Sequence, residues 1–580
     1  MATPSSAFKA PVLRAALSAV VVLAFLFHGP AGDPRQPLRA MVAGFAAAAL
    51  VLAASGSNRS ADRRSWIAAG LLLAMAAALG VSAALNGPTS AIWGVHGRFD
   101  GLVGWAVLAV TGIAGWCVAG AEIRWLGRAA AVGSVAQSFY VFYQAAQGSV
   151  PAGSNGNQVM TGGWLAVCIA LALASALVER APLKWWLLAA GAFGTVALGV
   201  IGSRGAWVGL VAGVVFLLWT RRQDRKIALT ISGVGIVLVV FGALVAGGES
   251  IAKLQPANLF GASASARTGI WQGTLALIGD RPLLGAGPGR FLYVFPAYEP
   301  VDHARVEGAD VRADQAHNHL LQMTAQAGIA AGAALLALAG LVGWAVLDGV
   351  RRKDAAVLIA GAGFAAYVGQ GLFGINAIEI DILGWLLGGM ILGRAVIAAG
   401  TGGISVRPFR VAAALSALAV AVACGVYLRA DIAYGRGLDA FAAGDLREAR
   451  ALHEQAVAGN PRIDLYRVAL ADDASYLGAA ELISAIDVLD AGLASEPDSY
   501  DLALARARAL ELLDGDRQEI ADAYMYAADL YPLGVTVRYE AMPVLVAAGR
   551  TDEAVTMARD VLAVLPDDIL ASGILEGYAE

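Results

Sequence analysis

Cysteine and charge are both scarce in this chain of 580 residues. Its three cysteines lie in apolar runs without metal-ligand spacing, so the pattern favours neither a disulfide framework nor a zinc site. Only 15% of the residues are charged, whereas 58% are hydrophobic and the mean hydropathy is +0.65. This composition excludes an ordinary soluble globular protein and indicates one that crosses a membrane several times.

Lysine is missing from the sequence after residue 429. There, 28 Asp and Glu stand against 11 Arg, a net charge of −17, which leaves a net charge of +13 for the preceding part. Such a difference predicts two domains of different physical type. We place a transmembrane domain at 1–428 and an extracytoplasmic helical repeat domain at 429–580.

Thirteen apolar runs have the length that a helix needs to cross a bilayer. They predict an all-α, polytopic bundle of about 12–13 spans, the first of which we read as a retained span because no cleavage site follows it. The runs lie near 11–27, 38–55, 66–85, 101–120, 126–147, 159–178, 185–201, 205–220, 227–246, 320–347, 355–375, 382–398 and 409–427.

Arg and Lys are concentrated in alternate loops between these runs, and the loops on the cytoplasmic side of a membrane carry that excess. One set contains Arg63 and Arg64, the cluster at 221–226 and the cluster at 351–353, and it shares its side with the N-terminus. The opposite set is poor in positive charge. We therefore expect the large polar loop at about 247–318 and the C-terminal domain to lie outside the cytoplasm.

The C-terminal domain contains an internal repeat. Pro461, Pro497, Pro532 and Pro566 are 36, 35 and 34 residues apart, and each ends an Ala- and Leu-rich helical pattern. This is the period of tetratricopeptide helix pairs, which stack into an α-solenoid and commonly bind protein partners. The alternative is an unspecific Ala-rich helical bundle.

Arg204 lies in the string SRGAW between two predicted spans, on the side where positive charge is disfavoured. One interpretation is an anchor whose guanidinium extends to the lipid headgroups. The other is a phosphate-binding residue, because a guanidinium can hold a phosphate in bidentate fashion.

The large polar loop contains Arg267, then Trp271, then the string DRPLLGAGPGRF from Asp280 to Phe291. Its glycines and prolines predict a turn, either structural or open to the close approach of a ligand. The string lacks the Lys of a P-loop, and no strand precedes it as in a dinucleotide fingerprint.

His317 stands where the loop re-enters the membrane, at the expected N-terminus of a helix. The positive end of the helix dipole attracts phosphate and disfavours the imidazolium. His317 is therefore expected to be neutral near pH 7 and able to accept a proton from a hydroxyl. Asp314 would orient the ring or, more in keeping with its residue type, cap the helix.

These ordered motifs resemble the O-antigen ligase and polymerase superfamily over about residues 85–395. The resemblance implies a GT-C-like helix bundle in the bacterial inner membrane. It further implies transfer of a glycan from undecaprenyl diphosphate to an acceptor hydroxyl on the outer face, without metal or cofactor. The sequence departs from the common family pattern at three positions, where relatives often have Glu, Gly and Leu: Gln326, Ala331 and Val208.

Carried over to this sequence, the resemblance implies that Arg204 and Arg267 bind the donor diphosphate while His317 engages the acceptor hydroxyl, with inversion at the anomeric carbon. Four further residues are expected to bind substrate, namely Trp271, Arg281, Arg290 and Asn318. The acceptor would be a glycan, a lipid or a protein. A polymerase that joins repeat units on the lipid carrier remains an alternative, and a polysaccharide transporter or flippase is a third.

Overall fold

The computed structural model describes residues 4–25, 36–54, 60–87, 90–222, 262–375, 377–399, 404–405 and 407–578. Across these residues the regular secondary structure is helical, apart from two-residue strands at Ser60–Ala61 and Ile404–Ser405, which pair antiparallel. The predicted all-α fold is therefore confirmed.

Among the described residues, eight apolar helices precede the polar loop and four more follow it. The first eight are α1 (Pro4–Val22), α2 (Gln36–Ala53), α3 (Arg63–Asn86), α4 (Leu102–Val118), α5 (Ile123–Ala146), α6 (Gln158–Ala176), α7 (Leu183–Ile201) and α8 (Arg204–Thr220). The polar loop contributes α9 (Ala262–Asp280), the single turn α10 (Phe291–Val294), a 3₁₀ turn at Phe295–Tyr298 and α11 (Val301–Glu307). The bundle is completed by α12 (His319–Arg351), α13 (Ala355–Gly371), α14 (Ile378–Ala399) and α15 (Arg407–Ala442).

Twelve of the thirteen predicted spans correspond to these helices, and the thirteenth, near 227–246, lies outside the described residues. Seven of the described helices are long and apolar enough to cross a membrane by length and composition, namely α2, α3, α6, α7, α12, α14 and α15. Three more, α4, α8 and α13, are apolar and 17 residues long. The chain thus has the composition and helix lengths of a multi-pass membrane protein.

Helix α6 lies at the centre of the bundle. In an apolar stretch of 18 residues, 89% are buried, and the helix packs on α5, α7, α8 and α13. Small residues allow the closest helix crossings. A Cβ atom on Gly389 of α14 would come within 2.0 Å of the carbonyl oxygen of Gly112 on α4. Close contact through glycine is a common way for helices to associate in lipid, where the hydrophobic effect does not drive helices together.

The C-terminal part is a stack of antiparallel helix pairs, as the proline period predicts. Its helices are α16 (Leu446–Gly459), α17 (Asp464–Leu477), α18 (Ala479–Ser495), α19 (Tyr500–Leu512), α20 (Arg517–Leu530), α21 (Val535–Ala547), α22 (Thr551–Val564) and α23 (Ile569–Tyr578). Each helix packs on the next, and α15 continues without interruption from the bundle to α16. The expected domain boundary at 428/429 falls within α15, and it stays a prediction.

Candidate functional site

Helix α12 is broken near its start. Ala327 and Gly328 have non-helical backbone angles, with φ +79° at Gly328. The backbone groups freed by the break bond to the turn that follows α9: the Ala286 and Gly287 N–H groups donate to Ala325 and Gln326, and the Ile329 N–H donates to Pro282. The distances are 2.7, 3.0 and 2.9 Å. Helix breaks at membrane depth persist only where other protein groups satisfy the backbone in this way.

Glycine is required on both sides of this contact. A Cβ atom on Gly328 would lie 2.1 Å from the carbonyl oxygen of Leu283, and one on Gly285 would lie 2.4 Å from that of Ala325. Gly285, like Gly328, has a positive φ, which L side chains rarely adopt. Of the two readings that the sequence left open for DRPLLGAGPGRF, these contacts favour a structural turn.

His317 is held by contacts of its two neighbours. The Trp271 indole N–H donates to the carbonyl of Ala316 at 3.0 Å, and the Ala316 N–H donates to the side chain of Gln322 at 2.7 Å. Asn318 caps α12 by accepting hydrogen bonds from two backbone N–H groups, each at 3.0 Å. His317 itself has φ +51°, an uncommon conformation for a residue with a side chain. The capping role proposed for Asp314 is therefore wrong.

Burial, followed by the positive charge of Arg267, lowers the pKa of His317 to about 4. The Nδ1 atom of His317 is buried and has no hydrogen-bond partner among the described residues. A neutral imidazole in this position keeps a basic nitrogen at physiological pH.

Arg267 lies near the start of α9, and burial lowers its pKa, an effect to which the charge of Arg204 adds. Arg204 is the first residue of α8. The charge of Arg204 lowers the pKa of Arg267, and the charge of Arg267 lowers the pKa of His317. Because such effects are felt only over short distances, the three residues that were predicted to be catalytic lie near one another. Glu307 partly offsets the positive charge at Arg267.

Arg98 belongs to this group, although the sequence analysis did not single it out. It donates to Asp314 at 2.5 Å, and its charge acts on His317. Asp314 is therefore engaged by Arg98, beside the histidine. The signal that identified Arg204, a positive charge on the charge-poor side, applies equally to Arg98.

The four predicted substrate-binding residues have different surroundings. Trp271 and Asn318 hold the backbone around His317, as described above. Arg281 lies at the end of α9, half-buried. Arg290 is 3% exposed and pairs with Glu496 and, at 2.6 Å, with Asp498, both from the repeat domain. Their roles toward substrate stay predictions.

Gln326 bonds to Asp100, in the loop before α4, and to Trp105, in α4 itself. Its side-chain amide donates to Asp100 at 3.0 Å and accepts from the Trp105 indole at 3.2 Å. Burial raises the pKa of Asp100 to about 6. A glutamate at position 326 would place a second carboxylate against Asp100, whereas the amide of Gln326 can donate a hydrogen bond to it.

An apolar groove of about 570 Å³ runs along the bundle between α3, α4, α12, α13, α14 and α15. His319 and Leu320 line one end of it, close to His317, whereas Arg64, Trp344 and Arg410 line the other end. Trp66, Trp116 and Phe364 also line the groove. The groove thus joins the face that bears the polar loop to the opposite face through apolar walls.

No group of three or more His, Cys, Asp or Glu is placed to hold a metal ion in the described ranges.

The O-Antigen ligase family model matches residues 189–336, a segment that includes Arg204, Arg267, His317 and the break in α12. No curated protein matches the chain. Among solved structures, one described as "Crystal structure of APC/C hetero-tetramer Cut9-Hcn1" is similar at 11% identity with a TM-score of 0.23, over 94% of this chain and 90% of that one. The resemblance seen in the sequence is thereby confirmed over residues 189–336, which match the O-antigen ligase family model and support a membrane glycan enzyme of the ligase or polymerase type.

Proposed function

We propose that this protein transfers a glycan from undecaprenyl diphosphate to an acceptor hydroxyl on the outer face of the bacterial inner membrane. The observation that carries the proposal is the grouping of two arginines, Arg204 and Arg267, with a neutral buried histidine, His317. Cations stabilise a diphosphate leaving group, and a neutral imidazole accepts the proton of an attacking hydroxyl.

The reaction is a single displacement at the anomeric carbon. The acceptor oxygen forms a bond to that carbon while the bond from the carbon to the diphosphate oxygen breaks. The hydroxyl proton passes to His317, and undecaprenyl diphosphate leaves with its negative charge held by Arg204 and Arg267. Attack from the side opposite the leaving group inverts the anomeric configuration.

The apolar groove supports a polyprenyl donor. Its walls are apolar along the bundle, as an isoprenoid chain requires, and its outer end lies at His319, two residues from His317. A chain in the groove would bring its diphosphate to the face on which the arginines lie.

The clustering of basic loops supports the orientation. Arg124, Arg352 and Arg394 line one pocket on the face opposite the polar loop. Positive charge marks the cytoplasmic side, so the polar loop and the repeat domain would face outward.

Replacement of His317 tests the proposal. In membranes with matched expression, His317→Ala should lower glycan transfer by about 10²- to 10⁴-fold, the usual contribution of a positioned base. Arg352→Ala, which removes a guanidinium on the opposite face, should transfer at the wild-type rate. Wild-type activity of His317→Ala would overturn the assignment. Loss of activity in EDTA that Mg²⁺ restores would overturn the metal-independent mechanism.

Gene deletion separates ligation from polymerisation. Loss of a ligase should leave long glycan on the lipid carrier, whereas loss of a polymerase should leave single repeat units. We expect long lipid-linked glycan. Accumulation of single units would assign the chain to polymerisation with the same catalytic residues.

A further inference from the structure

The second half of the polar loop lies against one edge of the repeat domain. This edge is formed where the first helix of each pair begins. Tyr293 lies near Asp464, whose charge acts on its hydroxyl, Arg312 pairs with Asp501 at 2.6 Å, and Asp310 accepts from the N–H groups of Val535 and Thr536 at 3.0 and 3.1 Å.

These contacts follow the period of the repeat. Asp464, Tyr500 and Val535 are the first residues of α17, α19 and α21, so they hold equivalent positions in three consecutive repeats. The guanidinium of Arg312 lies 4.8 Å from the centre of the Tyr500 ring, in addition to its pairing with Asp501. The loop therefore contacts the start of the first helix in each of these three repeats, which indicates a binding edge.

Asp310 supplies a helix cap that α21 lacks. The residue at the N-cap position of α21 is Gly534, which has no side chain, whereas α19 is capped by its own Ser499. Asp310 accepts hydrogen bonds from the first two N–H groups of α21 and from the Thr536 hydroxyl at 2.9 Å. A carboxylate at a helix N-terminus satisfies these N–H groups and interacts favourably with the helix dipole.

Apolar contacts join the same two parts. Ala304 of α11 is 1% exposed and belongs to the core that Tyr500, Tyr531 and Met542 form within the repeats. Arg305 donates to the carbonyl of Ala563 at the end of α22. The repeat core is therefore completed by a residue of the polar loop.

Ion pairs add to the contact. Arg290 pairs with Glu496 and Arg312 pairs with Asp501, so two acidic side chains of the repeat domain are matched by arginines of the loop. Opposite charge across an interface gives it specificity and fixes its register.

We propose that the partner of this repeat edge is the chain's own segment 300–312, and that Asp310 and Arg312 are positioning residues for His317. The catalytic part of this inference rests on the proposed function. His317 follows Arg312 by five residues, a connection of at most about 18 Å when fully extended. Release of the segment from the repeats therefore frees the backbone that leads to His317.

The test compares Asp310→Ala with Asp310→Asn in the full-length protein in membranes. Asn caps helices about as well as Asp, so Asp310→Asn should behave like the wild type. Asp310→Ala should increase amide hydrogen exchange at Val535 and Thr536 and lower kcat by about tenfold to hundredfold, the effect of a small misplacement of a catalytic group. The KM for the acceptor should not change.

A charge reversal gives an independent measurement. Arg312→Asp should lower kcat, and the added Asp501→Arg should restore it. Arg550→Asp is the matched control, because Arg550 pairs with Asp522 and Glu553 inside the repeat domain. It should leave kcat at the wild-type value.

Two results would overturn the proposal. Unchanged exchange at Val535 and Thr536 in Asp310→Ala would show that the segment does not cap the helix. Faster exchange with wild-type kcat would show that the contact does not position His317. Because hydrogen exchange needs no substrate, it reports on docking even if the wild-type chain transfers no glycan, the result that would instead refute the proposed function.

Discussion

The polar loop is held at two places by two different kinds of contact. At the turn after α9, backbone groups bond to the broken helix α12, and glycines allow an approach that no side chain would permit. At segment 300–312, the ion pair of Arg312 with Asp501 and the capping of α21 by Asp310 hold the loop to the repeats. The first contact depends on shape and the second on charge, so the first should tolerate far less change.

The largest expected effect is at Gly328. In Gly328→Ala, the backbone angles of φ +79° and ψ 175°, a combination almost restricted to glycine, add strain of about 1–3 kcal/mol, and the new Cβ atom meets the Leu283 carbonyl oxygen. We expect a sharp fall in folded protein and in Tm, measured by size-exclusion chromatography and thermal unfolding in detergent. Gly340→Ala, in the same helix with open space around it, is the control and should be at least as stable as the wild type. If Gly328→Ala were as stable as Gly340→Ala, the contact between α12 and the turn after α9 would not depend on shape as described above.

Substitutions at Arg290 test how much its buried ion pair with Glu496 contributes to the charge-dependent contact between the loop and the repeats. Arg290→Ala leaves Glu496 without its guanidinium and should destabilise the protein by about 3–5 kcal/mol. The double variant Arg290→Met with Glu496→Leu should recover stability, since apolar replacement of a buried pair is often neutral. Since the sequence predicts that Arg290 also binds substrate, we expect this stable double variant to lose glycan transfer. Wild-type transfer would restrict the role of Arg290 to the ion pair.

Gln326 belongs to the contact between α12 and the turn after α9, and Gln326→Glu tests this contact by adding a negative charge beside Asp100. The new carboxylate cannot donate to Asp100, which should reduce stability by about 1–3 kcal/mol at pH 8. Because the pKa of Asp100 is raised to about 6, its protonated form favours the folded state, and stability is lost as pH rises through that value. The variant should therefore approach the wild-type Tm at pH 5, and the added Asp100→Asn should restore it at pH 8. A deficit independent of pH would contradict this explanation.

The smallest expected effect is that of pH on the wild-type rate. With the pKa of His317 lowered to about 4, its basic form predominates above that pH, so kcat/KM should be level from pH 5 to 8 and fall near pH 4. Asp310→Asn should share this profile, since Asp310 is not among the groups that set the pKa of His317. A fall centred near pH 6.5 would mean that His317 is solvated as in a free peptide.

The sequence predicted the helices of the bundle closely because apolar length is a direct signal: the run at 205–220 became Arg204–Thr220. It also brought forward Arg204, Arg267 and His317 as a set. It did not predict the break in α12, since 320–347 was read as one helix, and glycine is common in membrane helices. The break depends on a turn that precedes it by many residues, and such a long-range contact leaves no local pattern. The burial of Arg290 against Glu496 was missed for the same reason.

The break in α12 also determines which parts of the chain move together. The carbonyl groups of Ala325 and Gln326 before the break and the N–H group of Ile329 after it all bond to the turn that follows α9. The turn therefore connects the short half-helix, whose N-cap follows His317, to the membrane helix that continues it. A change in the tilt of either half would be transmitted to the polar loop through this one backbone contact.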